Sequence, residues 1–194
     1  MNRAGIAGVI LAAGASSRMG QPKALLEYKG EAFLRRLAAM LNEACGRVVV
    51  VLGYDAARVR AAVPAGVAIT VNPEPERGML SSLQCGLRAA GEAEAVLFLP
   101  VDYGAVHGDT VARVAAEAGT AEIVVPVFDG RHGHPVCVSR AIAAELLALP
   151  AAAQARHVIH RHRADTRYIV VDDAGVVNDV DTPEDYRALV EARR

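Results

Sequence analysis

The sequence predicts an α/β fold, a three-layer sandwich around a mostly parallel central sheet. Three observations carry that expectation. Short apolar runs alternate with amphipathic helical stretches through the first two thirds of the chain. Glycine and polar residues gather where those runs end rather than where they begin. With 194 residues, 53% hydrophobic and 22% charged, the chain can bury roughly 70% of its unfolded surface, so its core needs neither a disulfide nor a metal.

Residues 7–11 are short, apolar and followed by glycine, the pattern of a buried strand. Residues 31–44 form an amphipathic helix, with Phe33, Leu34, Leu37 and Leu41 on one stripe and Arg35 and Arg36 facing away. A β-branched strand follows at 47–52, then a short helix at 55–62 with Asp55 placed to cap it. Next come a strand at 67–71, a helix at 81–90, a strand at 95–100, a helix at 107–118 and a strand at 122–127. This alternation places helices on both faces of the sheet. The second half is less regular: a strand at 133–138, helices at 139–149 and 152–162, and a last strand at 166–171. Thr182-Pro183-Glu184-Asp185 opens the final helix, with threonine as cap, proline at the first helical position and acids in the first turn. Nothing reads as a linker, repeat or low-complexity segment, so one domain over residues 1–194 is expected.

Composition excludes several classes of partner. There are 21 basic and 22 acidic residues, a net charge of −1, which gives no general attraction to nucleic acid or anionic lipid. Aromatics are 4% and Trp is absent, which argues against a single-strand stacking platform. Cys45, Cys85 and Cys137 are odd in number and scattered without C-x-x-C, which fits a reduced, cytoplasmic setting. No signal peptide or membrane span is visible.

Between the first strand and the first helix runs Leu11-Ala12-Ala13-Gly14-Ala15-Ser16-Ser17-Arg18-Met19-Gly20-Gln21-Pro22-Lys23. Ala12, Ala13 and Gly14 let a base and ribose lie against the backbone. Gly14 and Gly20 can take positive φ, which turns N–H groups toward phosphate oxygens. Arg18 offers a planar fork and Lys23 a compact charge, with Pro22 stiffening the approach. The loop suits a nucleoside triphosphate. It is not a Walker A loop, since Gly20 is followed by Gln21-Pro22-Lys23-Ala24 with no hydroxyl for Mg²⁺. Nor is it a dinucleotide fingerprint, because Gly14 and Gly20 are too far apart.

In an open parallel sheet, ligands sit beyond the carboxyl ends of the strands. The Arg18/Lys23 loop, the segment Asn72-Pro73-Glu74-Pro75-Glu76-Arg77-Gly78-Met79 and Asp102 should therefore meet on one rim. Asp102 ends the apolar run 97–101, where it either caps a turn or holds a cation. Alternation puts Asp179 and Asp181 on one side of an extended segment. One of them, Asp179 by preference, completes a metal site with Asp102, and the other helps cap the final helix. Ser81 or Ser82 can cap the helix at 81–90, whose N-terminus suits a base or a phosphate. His157 and His160 stand at i, i+3, yet no third ligand accompanies them. With Arg156, Arg161, His162, Arg163 and Arg167 they form either a solvated basic face or a dock for an anionic acceptor.

The loop closely resembles the signature of the MobA-like nucleotidyltransferases, L-A-[AG]-G-x-S-x-R-[ML]-G-x-x-K. Gly78-Met79-Leu80-Ser81-Ser82-Leu83 resembles that family's G-M-x-x-S-L, Gly133-His134-Pro135 its G-H-P, and Asp179-Val180-Asp181-Thr182-Pro183 its D-[IV]-D/N-T-P. Ala13 stands where the guanylyl branch carries a second glycine, so the chain looks like the CTP:molybdopterin cytidylyltransferase branch. The resemblance implies a Rossmann-like fold of the nucleotide-diphospho-sugar transferase type, with an N-terminal nucleotide-binding part and a C-terminal acceptor-binding part. It implies Mg²⁺, with Mn²⁺ as the alternative, on Asp102. It implies nucleotide contacts at Leu11, Ala12, Ala13, Gly14, Ser16, Ser17, Arg18, Lys23, Asn72, Gly78, Ser81 and Ser82, with Asn72 reading the base edge. Asp181 falls on the acceptor side, and His134 either does so too or is a structural residue of its Gly/Pro turn. Small-molecule substrates, and a molybdoenzyme or cofactor-insertion protein as partner, go with this reading. The chain departs from the family at Asp102-Tyr103-Gly104-Ala105, where D-x-P is usual. A different nucleotide, a sugar or polyol phosphate acceptor, and a regulatory module that binds nucleotide without turnover are the alternatives.

Overall fold

The computed structural model describes residues 2–150 and 153–192. Ten strands form in chain order: β1 (Ile6–Ala12), β2 (Glu27–Tyr28), β3 (Glu31–Ala32), β4 (Arg47–Leu52), β5 (Ala68–Val71), β6 (Ala95–Pro100), β7 (Ile123–Phe128), β8 (Arg131–His132), β9 (Val136–Ser139) and β10 (Thr166–Val170). Seven helices accompany them: α1 (Phe33–Ala44), α2 (Ala56–Arg60), α3 (Met79–Ala90), α4 (Gly108–Ala116), α5 (Arg140–Ala148), α6 (Ala155–Arg161) and α7 (Pro183–Glu191). The main sheet has the order β10-β7-β9-β6-β1-β4-β5, with β8 beside β7. Within that order β9 alone is reversed, antiparallel to both β6 and β7.

Every residue of β1 is buried, which a strand with helices on both faces requires. On one face Phe33, Leu34, Leu37 and Leu41 of α1 meet Ile10, Val50, Leu97 and Leu99. These four α1 side chains are fully buried, each contributing about 1.5–3 kcal/mol of apolar transfer. On the other face Leu83 and Leu87 of α3, with Ile142 and Leu146 of α5, cover Val9, Val51, Phe98 and Val138.

Several expectations need correction. Asp55 precedes α2 in a left-handed conformation (φ 55°) and makes no capping hydrogen bond. Helix α3 starts at Met79 with Gly78 at its cap position, so Ser81 and Ser82 lie inside its first turn. The strand expected at 133–138 is β9, shifted past Pro135. Of the helix expected at 152–162, Ala152 lies outside the described residues and α6 spans Ala155–Arg161. The β2–β3 hairpin and a 3₁₀ turn at Lys23–Leu25 have no counterpart in the periodicity reading, being too short to show a period. The final helix has its capping box, Thr182 paired with Asp185. Cys45, Cys85 and Cys137 are free thiols, and burial pushes the first and last of them up to about 12. No helix among the described residues is long and apolar enough to cross a membrane.

Candidate active site

The site is built at the carboxyl ends of β1, β4 and β6. The loop leaving β1 is braced internally: Ser16 takes φ 50°, its carbonyl accepts from Met19 N (2.9 Å) and its Oγ accepts from Lys23 N (3.1 Å). These bonds deliver Lys23 to the interior, where its side chain is only 13% exposed. Lys23 Nζ donates to Asp102 Oδ2 at 3.2 Å and to the Asp181 carboxylate. Arg18 Nη2 donates to the other oxygen of Asp181 at 2.8 Å. Two cations from residues 18–23 thus meet acids from residues 102 and 181, remote in sequence.

Asp102 follows β6 on a loop fastened from two sides. Its carbonyl accepts from Val180 N at 3.0 Å, which stitches the segment carrying Asp179 and Asp181 to it. Beyond it, Arg36 of α1 donates through Nε and Nη2 to the carbonyls of Gly104 and Val106, 3.0 Å each. A Cβ on Gly104 would fall 2.1 Å from the Phe33 ring, so only glycine permits this approach. Where the family usually has proline, this chain sets the loop's shape with Arg36 and Gly104. Asp173, buried, accepts from His107 N and Thr110 Oγ1 and so closes the start of α4.

Ligand oxygens of Asp102, Asp179 and Asp181 lie within 4.8 Å of one another, the one group of its kind among the described residues. Asp102 Oδ1 is buried and accepts no hydrogen bond, an acceptor for which a cation is the natural partner. Three converging carboxylates and a buried orphan oxygen fit a divalent metal. Burial lifts the Asp102 carboxyl above the usual range while Lys23 pulls against that rise. Burial alone would lower the Lys23 ammonium, but its bonds to Asp181 and Asp102 outweigh that and hold it up. The hydrogen bond from Lys23 depresses Asp181.

Arg18, Lys23, Asp102 and Asp181 open on a cavity of about 330 Å³, which Asp179, the preferred partner of Asp102 in the sequence reading, does not line. Of the residues expected to bind nucleotide, Leu11, Ala12, Ala13, Gly14, Ser16, Ser17, Arg18, Lys23, Gly78 and Ser82 line it, together with Asp102 and Asp181. Asn72 and Ser81 do not. Asn72 is buried, its Nδ2 donating to Ser81 Oγ (2.8 Å) and Ser82 Oγ (3.0 Å) and its Oδ1 accepting from Glu74 N (3.0 Å). Its amide is committed within the protein, so it positions the start of α3 instead of reading a base edge. Asp181, expected on the acceptor side or as a helix cap, pairs with both loop cations; Thr182 and Asp185 do the capping.

His134 also lies off the cavity. Its ring sits against Phe98 (5.9 Å) and Tyr103 (4.8 Å), and burial pushes its pKa down to about 4. Of the basic cluster, Arg161 and His162 pair with Glu145 and Arg167 with Glu117. His157 and His160 belong to no group of three metal-ligating residues among the described ones. The sequence reading passed over the cavity residue Tyr54, and it placed Met79 on the rim without giving it a role. Tyr54 lies two residues past the strand at 47–52, so the rule that singled out the Arg18 loop applies to it as well.

The description "MobA-like NTP transferase domain" matches residues 8–166. The chain belongs to the MobA-like NTP transferase family. Molybdenum cofactor cytidylyltransferase of Escherichia coli K12 is 26% identical over 92% of each chain. Nicotine blue oxidoreductase of Paenarthrobacter nicotinovorans is 32% identical, covering 95% of this chain and 96% of that protein. Proteins named molybdenum cofactor guanylyltransferase match as well. Among solved structures, Rv0371c of Mycobacterium tuberculosis H37Rv superposes with a TM-score of 0.86 at 33% identity, over 98% of this chain and 100% of that one. A second structure of that protein is a manganese complex, with a TM-score of 0.80 at 30% identity over 96% and 98%. The MobA-like fold here, a mostly parallel sheet with helices on both faces, is shared with these neighbours.

Proposed function

We propose that this MobA-like transferase moves a nucleoside monophosphate from an NTP, CTP by preference, onto a phosphate-bearing acceptor of the molybdopterin class, releasing pyrophosphate. The observation that carries the reading is the meeting of Arg18, Lys23 and Asp102 on one cavity floored by Ala12, Ala13 and Gly14. An acceptor phosphate is already ionised near neutral pH, so its oxygen can attack the α-phosphorus without a general base. The bond to the β-phosphate oxygen breaks and pyrophosphate leaves with the electron pair. Arg18 and Lys23 offset its charge, which requires both to turn from the acids they hold now. Asp102, with Asp179 and Asp181, would hold Mg²⁺ or Mn²⁺, which when bound supplies Lewis-acid neutralisation of phosphate charge. Catalysis here is alignment plus charge neutralisation. One domain spans the chain in this reading, nucleotide on the N-terminal half and acceptor on the C-terminal half.

Preference for CTP rests on Ala13, at the position where the guanylyl branch carries glycine. The test is pyrophosphate release with CTP, GTP, ATP and UTP, each against molybdopterin and against sugar and polyol phosphates. Release only with CTP and the pterin supports the full reading. Release with other pairs redefines the substrates, and tight nucleotide binding without any release sinks the transferase in favour of a regulatory module. The 32% identity to an oxidoreductase over nearly the whole chain favours a second reading, in which the cavity serves a redox reaction. Substrate reduction matched by oxidation of an added hydride donor, with no pyrophosphate released, would establish it.

A further inference from the structure

We propose that Tyr54 is the stacking surface for the nucleobase, with Met79 as a second apolar contact. This rests on the reading of the cavity as a nucleotide site and names the residue that grips its uncharged end. Six large apolar side chains among the described residues are exposed, and two of them, Tyr54 (40%) and Met79 (59%), line this cavity. An exposed aromatic ring on a polar cavity wants a flat partner. The Tyr54 hydroxyl makes no hydrogen bond and its ring no aromatic pair among the described residues, so no polar or π partner competes for its exposed part.

The backbone of Tyr54 is tied to the cavity floor. Its N–H donates to Ala13 O at 3.2 Å, and Gly53 lies so close that a Cβ there would sit 2.6 Å from the same oxygen. The ring is therefore held beside Ala12, Ala13 and Gly14, which have nothing beyond Cβ to block a planar group. Strand order β6-β1-β4-β5 then polarises the site. Asp102 lies two residues past β6 on one side of β1; Tyr54 lies two residues past β4 on the other, and Met79 follows β5 in the chain. Two strand spacings, roughly 10 Å, separate the charged end from the apolar end. A nucleotide has the same polarity, phosphates at one end and a π-faced base at the other. Because every base has such a face, Tyr54 supplies affinity for any of them and leaves base choice to the backbone edges.

Binding of CTP, GTP and inorganic tripolyphosphate to the full chain, measured by calorimetry without acceptor, tests this. Tyr54→Ala and Tyr54→Leu should weaken both nucleotides by roughly ten- to a hundredfold, the usual cost of a lost base–aromatic stack. Tripolyphosphate should bind unchanged, and Tyr54→Phe should bind nucleotide like the wild type. Nucleotide affinity untouched in Tyr54→Leu overturns the assignment, as does an equal loss of tripolyphosphate, which would assign Tyr54 to the loop's shape. Wild type that binds tripolyphosphate but no nucleotide sinks the nucleotide reading itself, a result distinct from either.

Discussion

Replacing Lys23 with glutamine separates two jobs that the structure gives one ammonium. Lys23 Nζ bridges Asp102 at 3.2 Å and Asp181. Two unit charges about 4 Å apart are worth roughly 4 kcal/mol at an effective dielectric near 20. The three side chains are 13%, 21% and 34% exposed, so solvent screening reduces the net to about 1–3 kcal/mol. In a chain of this length that is a fall in Tm of roughly 2–4 °C per kcal/mol. Turnover should fall further, because a cation aimed at transition-state charge is typically worth about 3 kcal/mol, on the order of a hundredfold. Divalent metal should move the other way. Without a resident ammonium between Asp102 and Asp181, Mn²⁺ alone should bind more tightly, by about tenfold for each 1.4 kcal/mol of repulsion removed. Pyrophosphate release at saturating substrates gives the first number and a Mn²⁺ titration followed by electron paramagnetic resonance gives the second. Turnover within threefold of wild type, or Mn²⁺ affinity that falls, would refute the assignment of Lys23 to both roles.

Three further outcomes are expected. His134 has its pKa depressed from 6.5 to about 4 by burial. The unfolded chain therefore takes up this proton first, and stability present above pH 6.5 is lost as pH falls toward 4, by about 3 kcal/mol at 1.36 kcal/mol per unit. Urea unfolding of His134→Gln should lack that loss over pH 6.5–4, and parallel curves for variant and wild type would contradict it. Gly104→Ala drives a methyl into the buried Phe33 ring and should cost about 1–3 kcal/mol or more. Adding Phe33→Leu should recover part of the lost Tm and turnover, and strict additivity of the two would show that the clash is not the cause. Asn72→Ala strands two buried-side hydroxyl contacts and the Glu74 N–H, at about 1–3 kcal/mol. Nucleotide KM should rise more than kcat falls; the reverse would place Asn72 in the chemistry.

The parallel sheet, the loop and the acid at the end of β6 were legible because each is local. Periodicity reports burial, small residues report close approach, and an acid closing an apolar run reports a cost that something must offset. What was not legible depends on where side chains from distant segments end. Asn72 carries the same amide whether it faces a base or Ser81 and Ser82. Asp179 and Asp181 share one face of one segment, and only the position of Lys23 decides which of them is engaged. Arg36 looks like an ordinary solvent-facing position away from the α1 stripe, yet it holds the loop that aims Asp102. Gly104 carried a signal that went unread: glycine two residues past a strand-end acid, where proline is usual, requires a neighbour close enough to exclude Cβ.

The ion-pair arrangement has a consequence for how the site forms and how it is used. Asp102 is lifted by burial, and its Oδ1 has no partner; two further carboxylates stand within 4.8 Å. Unrelieved, that cluster would repel itself and pull the Val180 contact apart. Lys23 relieves it by bridging Asp102 and Asp181, and Arg18 neutralises what remains on Asp181. In the proposed reaction a triphosphate would compete for those same two cations. A phosphate that drew Lys23 and Arg18 away would uncover the carboxylates, and a divalent ion held by the carboxylates would free the cations for the phosphate. Each event therefore favours the other, and by linkage the effect is equal in both directions. Mn²⁺ affinity should rise when tripolyphosphate is added, beyond the contribution of a separately measured Mn²⁺–tripolyphosphate complex. Tripolyphosphate affinity should rise with Mn²⁺ by the same factor. The gain should shrink in Lys23→Gln, where half of the exchange has already been made. Equal coupling in variant and wild type would mean that the ammonium is a bystander to metal entry.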